Sequence, residues 1–312
     1  MPLSFENTEY SAPPIFIHVL SPIVPEFPLP KKLDEHSDFD RASDEQIEHI
    51  KNKLPLPVSP VGNLYESEIT RTGSRCYSQA TQPDRRQWRY FVINVFGGKV
   101  QGNYMHLKWA FNLTEQELET GFVFSVVAGG VGVMGHPYGV YSFLESVDPV
   151  PVILPDVFFD EAMGIYAKLE KTCSIHIKRA LHHYEAIKGL PRSDDMMVLG
   201  LFAVLESLIT HNPRSAWHGD SLTHQVSTKM PLLCKRFKLK DDLALASDAK
   251  AWCELYDWRS KIAHGERLSV NRARFKILGN REAALAFLKR NLRRLLLLVL
   301  DEPDLIEDLR AC

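Results

Sequence analysis

Residues 256–265 read Tyr256-Asp257-Trp258-Arg259-Ser260-Lys261-Ile262-Ala263-His264-Gly265, and this stretch decides how the C-terminal half folds. Its apolar residues recur at helical spacing, and the closing glycine stands where a helix C-terminal cap belongs. Trp252, Tyr256 and Ala263 fall on one stripe of that helix, and Arg259 falls in the same stripe. A guanidinium on an apolar stripe needs a counter-charge, either a carboxylate of the fold or a phosphate on a ligand. His264 follows Arg259 by five residues. At roughly 100° per residue it lies about 140° around the axis, so the two side chains do not converge on a single regular helix. The last turn is also where the helix dipole stabilises positive charge. An arginine can hold a phosphate and a histidine can move a proton near neutral pH.

Working outward, almost everything after Pro149, Pro151 and Pro155 has helical periodicity. Asp160 to Lys188 predicts one long helix, stopped by Gly189 and Pro191. Ser193-Asp194 start another through Met197, Leu201, Leu205 and Leu208, ending near Asn212-Pro213. Further helices are expected over about 221–237, 241–264 and 280–300, with a short one after Pro303. The loops between them are short enough for antiparallel packing. Glu206, on the helix before the loop at Asn212, is the carboxylate nominated to orient Arg259 or His264; a surface position beside Leu205 is the competing reading.

The N-terminal half has a different grammar. Prolines at 13, 14, 22, 25, 28, 30, 55, 57 and 60 make residues 1–60 an irregular, acidic region. One helix is expected there, from Ser43 to about Leu54, because Ser43 and Gln46 have capping-box spacing. Residues 61–150 predict a small α+β domain. Its strands are expected at Tyr90 to Phe96, Tyr104 to Phe111 and Phe122 to Ala128, with a short helix capped by Thr114 and Glu117. The fold class is therefore α+β: a small N-terminal α+β domain, then an all-α bundle over 156–312.

Composition bounds the function. The 312 residues are 45% hydrophobic and 24% charged, an ordinary globular balance with mass for two domains. The longest uninterrupted apolar runs, such as Leu295 to Leu300, are far below the roughly 20 residues that span a bilayer. The five cysteines are scattered, which suits reduced thiols and a cytoplasmic location. Residues 1–155 carry 12 Lys+Arg against 18 Asp+Glu, whereas 156–312 carry 25 against 21. Within the latter, Lys229 to Arg294 holds 17 basic and 7 acidic residues, a concentration that favours a phosphate-bearing partner.

Other signals are weaker. Gly130-x-Gly132-x-x-Gly135 follows a strand-like run, but His136-Pro137 stand where a dinucleotide fingerprint needs a helix, so a glycine-rich turn or bulge is favoured. Cys173, His176, His182 and His183 lack the spacing of a zinc site. No metal or cofactor is expected. His211, His218 and His224 surround a loop, and Arg290, Arg293 and Arg294 suggest a core helix with a solvated basic side.

Residues 256–265, preceded by Leu205-Glu206-Ser207-Leu208-Ile209, resemble the C-terminal domain of the Apea-like branch of the HEPN superfamily. The family motif is an arginine, four to six residues, then a histidine, and Arg259 and His264 match with four between. The resemblance is sharp over 200–265 and extends over about 156–312. It implies a dimerising helical bundle with metal-independent endoribonuclease activity, Arg259 and His264 being the catalytic pair. Ser260 and Glu206 would assist, and Lys261, Tyr256 and Arg267 would contact substrate. Nuclease members often carry Asn, Asp or His after the arginine; here it is Ser260, which keeps open a silent module that binds RNA or a partner protein. The resemblance also implies toxin or antiviral-defence roles, with a regulatory ligand or protein at the N-terminal domain. Chemistry points to the dimer separately. Cleavage by 2′-OH attack needs a base, an acid and a cation, and one chain offers a single motif histidine. A two-fold dimer supplies two.

Overall fold

The computed structural model describes residues 15–21, 23–53, 68–72, 75–79, 90–96, 104–127, 130–134, 152–172, 174–190, 195–211, 221–237, 243–265 and 275–311. The architecture is α+β, a β-sheet region followed by a helical region. The chain divides into two compact units, Met1–Tyr166 and Ala167–Cys312.

The first unit is built on a six-stranded antiparallel sheet. Its strands are β1 (Ile15–Val19), β3 (Lys31–Lys32), β4 (Ser37–Arg41), β7 (Phe91–Val95), β8 (Thr120–Val127) and β9 (Gly130–Met134), in the order β3-β4-β7-β1-β8-β9. Two further pairs stand apart: β2 (Ile23–Pro25) with β10 (Val152–Leu154), parallel, and β5 (Glu68–Thr72) with β6 (Arg75–Gln79). β1 lies inside the six-stranded sheet and is buried at all five positions, so the expectation of an irregular first 60 residues fails here. β2, β3 and β4 follow it between the prolines, and a short continuous apolar run is also what a strand covered on both faces looks like.

Alternation along β1 sorts its side chains to two cores. Ile15, Ile17 and Val19 join Phe39, Phe91 and Ile93 under α2 (Tyr104–Leu113) and the start of α3 (Val157–Lys171). Phe16 joins Val92, Phe122 and Phe124 under α1 (Asp44–Lys53). Rings stack on both sides: Phe39 on Phe91 at 5.4 Å and Phe16 on Phe124 at 4.6 Å between centroids. Each such buried ring contributes on the order of 2–3 kcal/mol by removal from water. The capping box of α1 forms as expected. Ser43 N–H donates to Gln46 Oε1 at 2.9 Å, and Gln46 N–H to Ser43 Oγ at 3.2 Å.

Three local expectations are overturned. Tyr104 to Phe111 is helix rather than strand, because Leu107 and Phe111 must both reach the sheet core and lie one turn apart. Thr114 to Glu117 is a turn rather than a helix start: Thr114 Oγ1 donates back to Phe111 O at 2.7 Å, and Glu117 has φ +48°. The helix expected over 160–188 is two, α3 and α4 (Ile175–Lys188), with Ser174 as the N-cap of the second. Gly130–Met134 is an antiparallel edge strand, which also removes the dinucleotide reading and replaces the turn with β9; Gly135 to Gly139 lie outside the described residues.

The second unit centres on α5 (Asp195–Ile209), which packs against α4, α6 (Leu222–Cys234), α8 (Ala249–Ala263), α9 (Arg281–Asp301) and α10 (Pro303–Ala311). Met197, Val198, Leu201, Phe202, Val204, Leu205, Leu208 and Ile209 are all buried, as a helix surrounded by partners requires. α4 approaches it closely at Gly200, where a Cβ would lie 2.7 Å from Ile187 Cγ1. The helix expected over 241–264 is split into α7 (Leu243–Ala246) and α8, because Asp248 caps α8 by accepting from Lys250 N–H at 2.9 Å. Lys229 is buried and donates Nζ to Ile209 O and Leu309 O, closing the C-terminal turns of α5 and α10. The basic side of α9 is not solvated as expected: Arg293 and Arg294 are buried, and Arg281 bonds Asp195 at 2.9 Å.

Candidate active site

Phe202 meets Tyr256 edge-on at 5.7 Å, and one turn further along both helices Glu206 meets Arg259. α5 and α8 therefore run parallel, with their C-terminal ends together. The N-terminal end of α6 lies at the same end of α5, since Gln225 and His211 exchange hydrogen bonds of 3.0 and 3.2 Å.

Arg259 is gripped from two sides. Its Nε lies 3.4 Å from Glu206 Oε1, and its Nη2 lies 3.5 Å from Glu206 Oε2. Both are long for a charge-assisted fork, which closes to about 2.7–2.9 Å. The contact is a side-on charge pair rather than a tight bidentate bond. The guanidinium also sits 5.5 Å from the centroid of the Tyr256 ring. Arg259 keeps 29% of its side chain exposed and Glu206 15%, so the pair stands at the rim of the core. Burial pushes the Glu206 carboxyl above its ordinary value, with the Arg259 charge and the Tyr256 hydroxyl pulling it part of the way back. The Tyr256 hydroxyl is pushed up to about 12, by burial first and then by the neighbouring Glu206 charge, with Arg259 opposing. Tyr256 is buried and serves as a floor for the arginine.

His264 is the C-cap of α8, its backbone N–H donating to Ser260 O at 3.0 Å. Gly265 follows with φ +76°, a left-handed conformation that glycine adopts without strain. The imidazole is exposed and is not part of the Arg259–Glu206–Tyr256 cluster. The structure thus brings Arg259, Glu206 and Tyr256 together and holds His264 apart at the helix end. Ser260 is half-buried and Lys261 exposed on the same turns. Ala263, expected on the apolar stripe, is exposed as the helix leaves the core. Arg267 lies outside the described residues, as do Cys173 and His218. Among the described residues no group of three metal-ligating side chains occurs.

Two positioning features were not legible in the motif itself. Phe202 braces Tyr256, and its spacing of four residues from Glu206 was the available signal. Glu254 accepts backbone N–H bonds from Lys276, Ile277 and Leu278, the last two at 3.1 Å, while Trp258 packs edge-on against Phe275 at 5.1 Å. These contacts fasten the chain ahead of α9 onto α8.

No family model, no curated protein and no solved structure matches this chain. The site's chemistry must stand on its own residues.

Proposed function

We propose that the protein is a metal-independent endoribonuclease whose site is shared across a homodimer. The observation that carries this reading is a half-exposed guanidinium, oriented by Glu206 and Tyr256, on the same helix end as an exposed imidazole. A guanidinium so placed can exchange a loosely held carboxylate for a phosphate and stabilise the charge that builds on phosphorus. His264 from one subunit takes the 2′-OH proton as the new O–P bond forms. His264 from the other gives a proton to the 5′-oxygen as the old P–O bond breaks, leaving a 2′,3′-cyclic phosphate and a free 5′-OH. Ser260 and Lys261 stand on the same turns and assist in binding the phosphate. The acidic N-terminal unit is the part free to restrain or recruit this activity.

The test is cleavage of mixed RNA in the presence of chelator by the parent, His264→Ala and Arg259→Ala. Loss of cleavage in both variants, and no cleavage of a substrate lacking the 2′-OH, is the expected result. Parent activity should also fall when excess His264→Ala subunit is mixed in, because mixed dimers lack one imidazole. Cleavage that neither substitution changes overturns the assignment. A dimer that binds RNA without cutting it supports the silent module instead.

A further inference from the structure

The basic stretch that drew attention in the sequence is largely consumed inside the fold. Lys229, Arg281, Arg293 and Arg294 are buried, and Arg259 is held by Glu206. An exposed face of basic and imidazole side chains exists elsewhere, on α4. His176, Arg179, His182 and His183 are all exposed there, and Lys178 is half-exposed. They form two adjoining lines, 176–179–183 and 178–182, at the spacings that place side chains on one side of a helix. The only acidic residue of α4, Glu185, continues the 178–182 line one turn on, but it is 2% exposed and engaged within the fold rather than with solvent. Neither Lys178 nor Arg179 has a carboxylate partner among the described residues. The apolar face of α4, with Ile177, Ala180, Leu181 and Tyr184, is turned into the bundle.

The position of this face matters as much as its charge. α4 and α5 are joined by a short connection and pack antiparallel, with Ile187 against Gly200. Counting back along α4 and forward along α5 at equal rise brings Arg179 level with Leu208, at the C-terminal end of α5. The N-terminal half of the α4 face therefore reaches the same end of the bundle as Glu206, Arg259 and His264.

We propose that this face of α4 docks the backbone of a single-stranded RNA and leads the strand to the Arg259–His264 end, an inference that rests on the ribonuclease reading for its direction. Lys178 and Arg179 neutralise phosphates, and the imidazoles of His176, His182 and His183 offer rings on which unpaired bases stack. An RNA strand fits better than a membrane surface, which would require apolar side chains pointing outward from the helix, where α4 has only Ile175.

The experiment measures binding of a fluorescein-labelled 12-nucleotide oligouridylate to the full chain by anisotropy, across a series of salt concentrations. The variants are Lys178→Glu/Arg179→Glu, the milder Arg179→Gln, and His264→Ala, each checked for an unchanged thermal midpoint. The double reversal is expected to weaken binding at least tenfold and to flatten the salt slope by more than one unit, since each lost phosphate contact removes about 0.7. Arg179→Gln should weaken it severalfold. An α4 variant that binds with parental affinity and slope overturns the docking surface, and so does a parent that binds no oligonucleotide. Loss of binding to phosphatidylserine vesicles with RNA binding intact overturns it in favour of a lipid surface. The ribonuclease reading fails separately: α4-dependent binding with cleavage untouched by His264→Ala leaves the docking surface standing and removes the catalytic pair.

Discussion

Helices α8 and α9 are cut from the same basic stretch, yet Arg259 on α8 keeps 29% of its side chain in solvent while Arg293 and Arg294 on α9 keep 6% and 5% of theirs as residues. The difference comes from what surrounds each helix. α9 is buried along most of its length, so its long side chains run through the packed interior, where each meets a partner. α8 leaves the core at its C-terminal end, where one turn separates the buried Tyr256 from the half-exposed Ser260. Charge density along a sequence measures how many cations there are. Whether they face a ligand or the fold is set by packing.

The comparison can be broken at either helix. The largest effect is expected for His264→Ala, which should lower the cleavage rate roughly 10²–10⁴-fold, the range for a lost general acid or base. Because the ring is exposed, its unfolding free energy in urea should stay within about 0.5 kcal/mol of the parent's. Arg259→Ala should follow, with initial rates down roughly 10²–10³-fold. Its stability should change by under about 1 kcal/mol, because the pair it breaks is loose and partly solvated. Arg294→Ala should do the reverse. Urea unfolding is expected to show a loss of about 3 kcal/mol, from the loss of a large buried side chain and its packing, with the rate per folded molecule unchanged. A stable Arg294→Ala, or an unstable Arg259→Ala, would erase the distinction between the two helices.

The smallest effect concerns pH. The Glu206 carboxyl holds its proton more tightly in the folded state than its ordinary value of 4.5 allows, mainly through burial. Its contribution to stability is therefore full below that value and is lost as pH rises through the folded one. Glu206→Gln should remove this decline, so parent and variant unfolding free energies from urea titrations should diverge from pH 4.5 upward by less than about 1.4 kcal/mol per pH unit. Parallel curves would show that the carboxyl is not desolvated in solution.

Much of the local helical structure was legible. Gly265 announced the end of α8, and the capping box at Ser43 announced α1, because both are local rules with a local cause. The strand at Phe91–Val95 was equally plain from its β-branched and aromatic run. What failed was set by distant partners. Ile15–Val19 became a central strand only because β7 and β8 close on both its edges, and Tyr104–Leu113 became helix because the sheet needed one covering face. The break at Ser174 was local and visible, since serine caps helices better than it continues them, but the apolar periodicity on either side masked it. At the site, the spacing of Arg259 and His264 excluded a self-contained pair. That Glu206 would lie against Arg259 required knowing that α5 and α8 run parallel.

The clip at Glu254 has a dynamic consequence. A short segment between helices ordinarily opens on its own with little free-energy cost. Here residues 275–278 are fastened to α8 by three backbone N–H bonds to Glu254 and by the Trp258–Phe275 contact. Releasing the segment ahead of α9 must then break its contacts with the middle of α8, so its opening is tied to that helix. The amides of Lys276, Ile277 and Leu278 should exchange with solvent far more slowly than those of an unattached loop, and Glu254→Ala should release them.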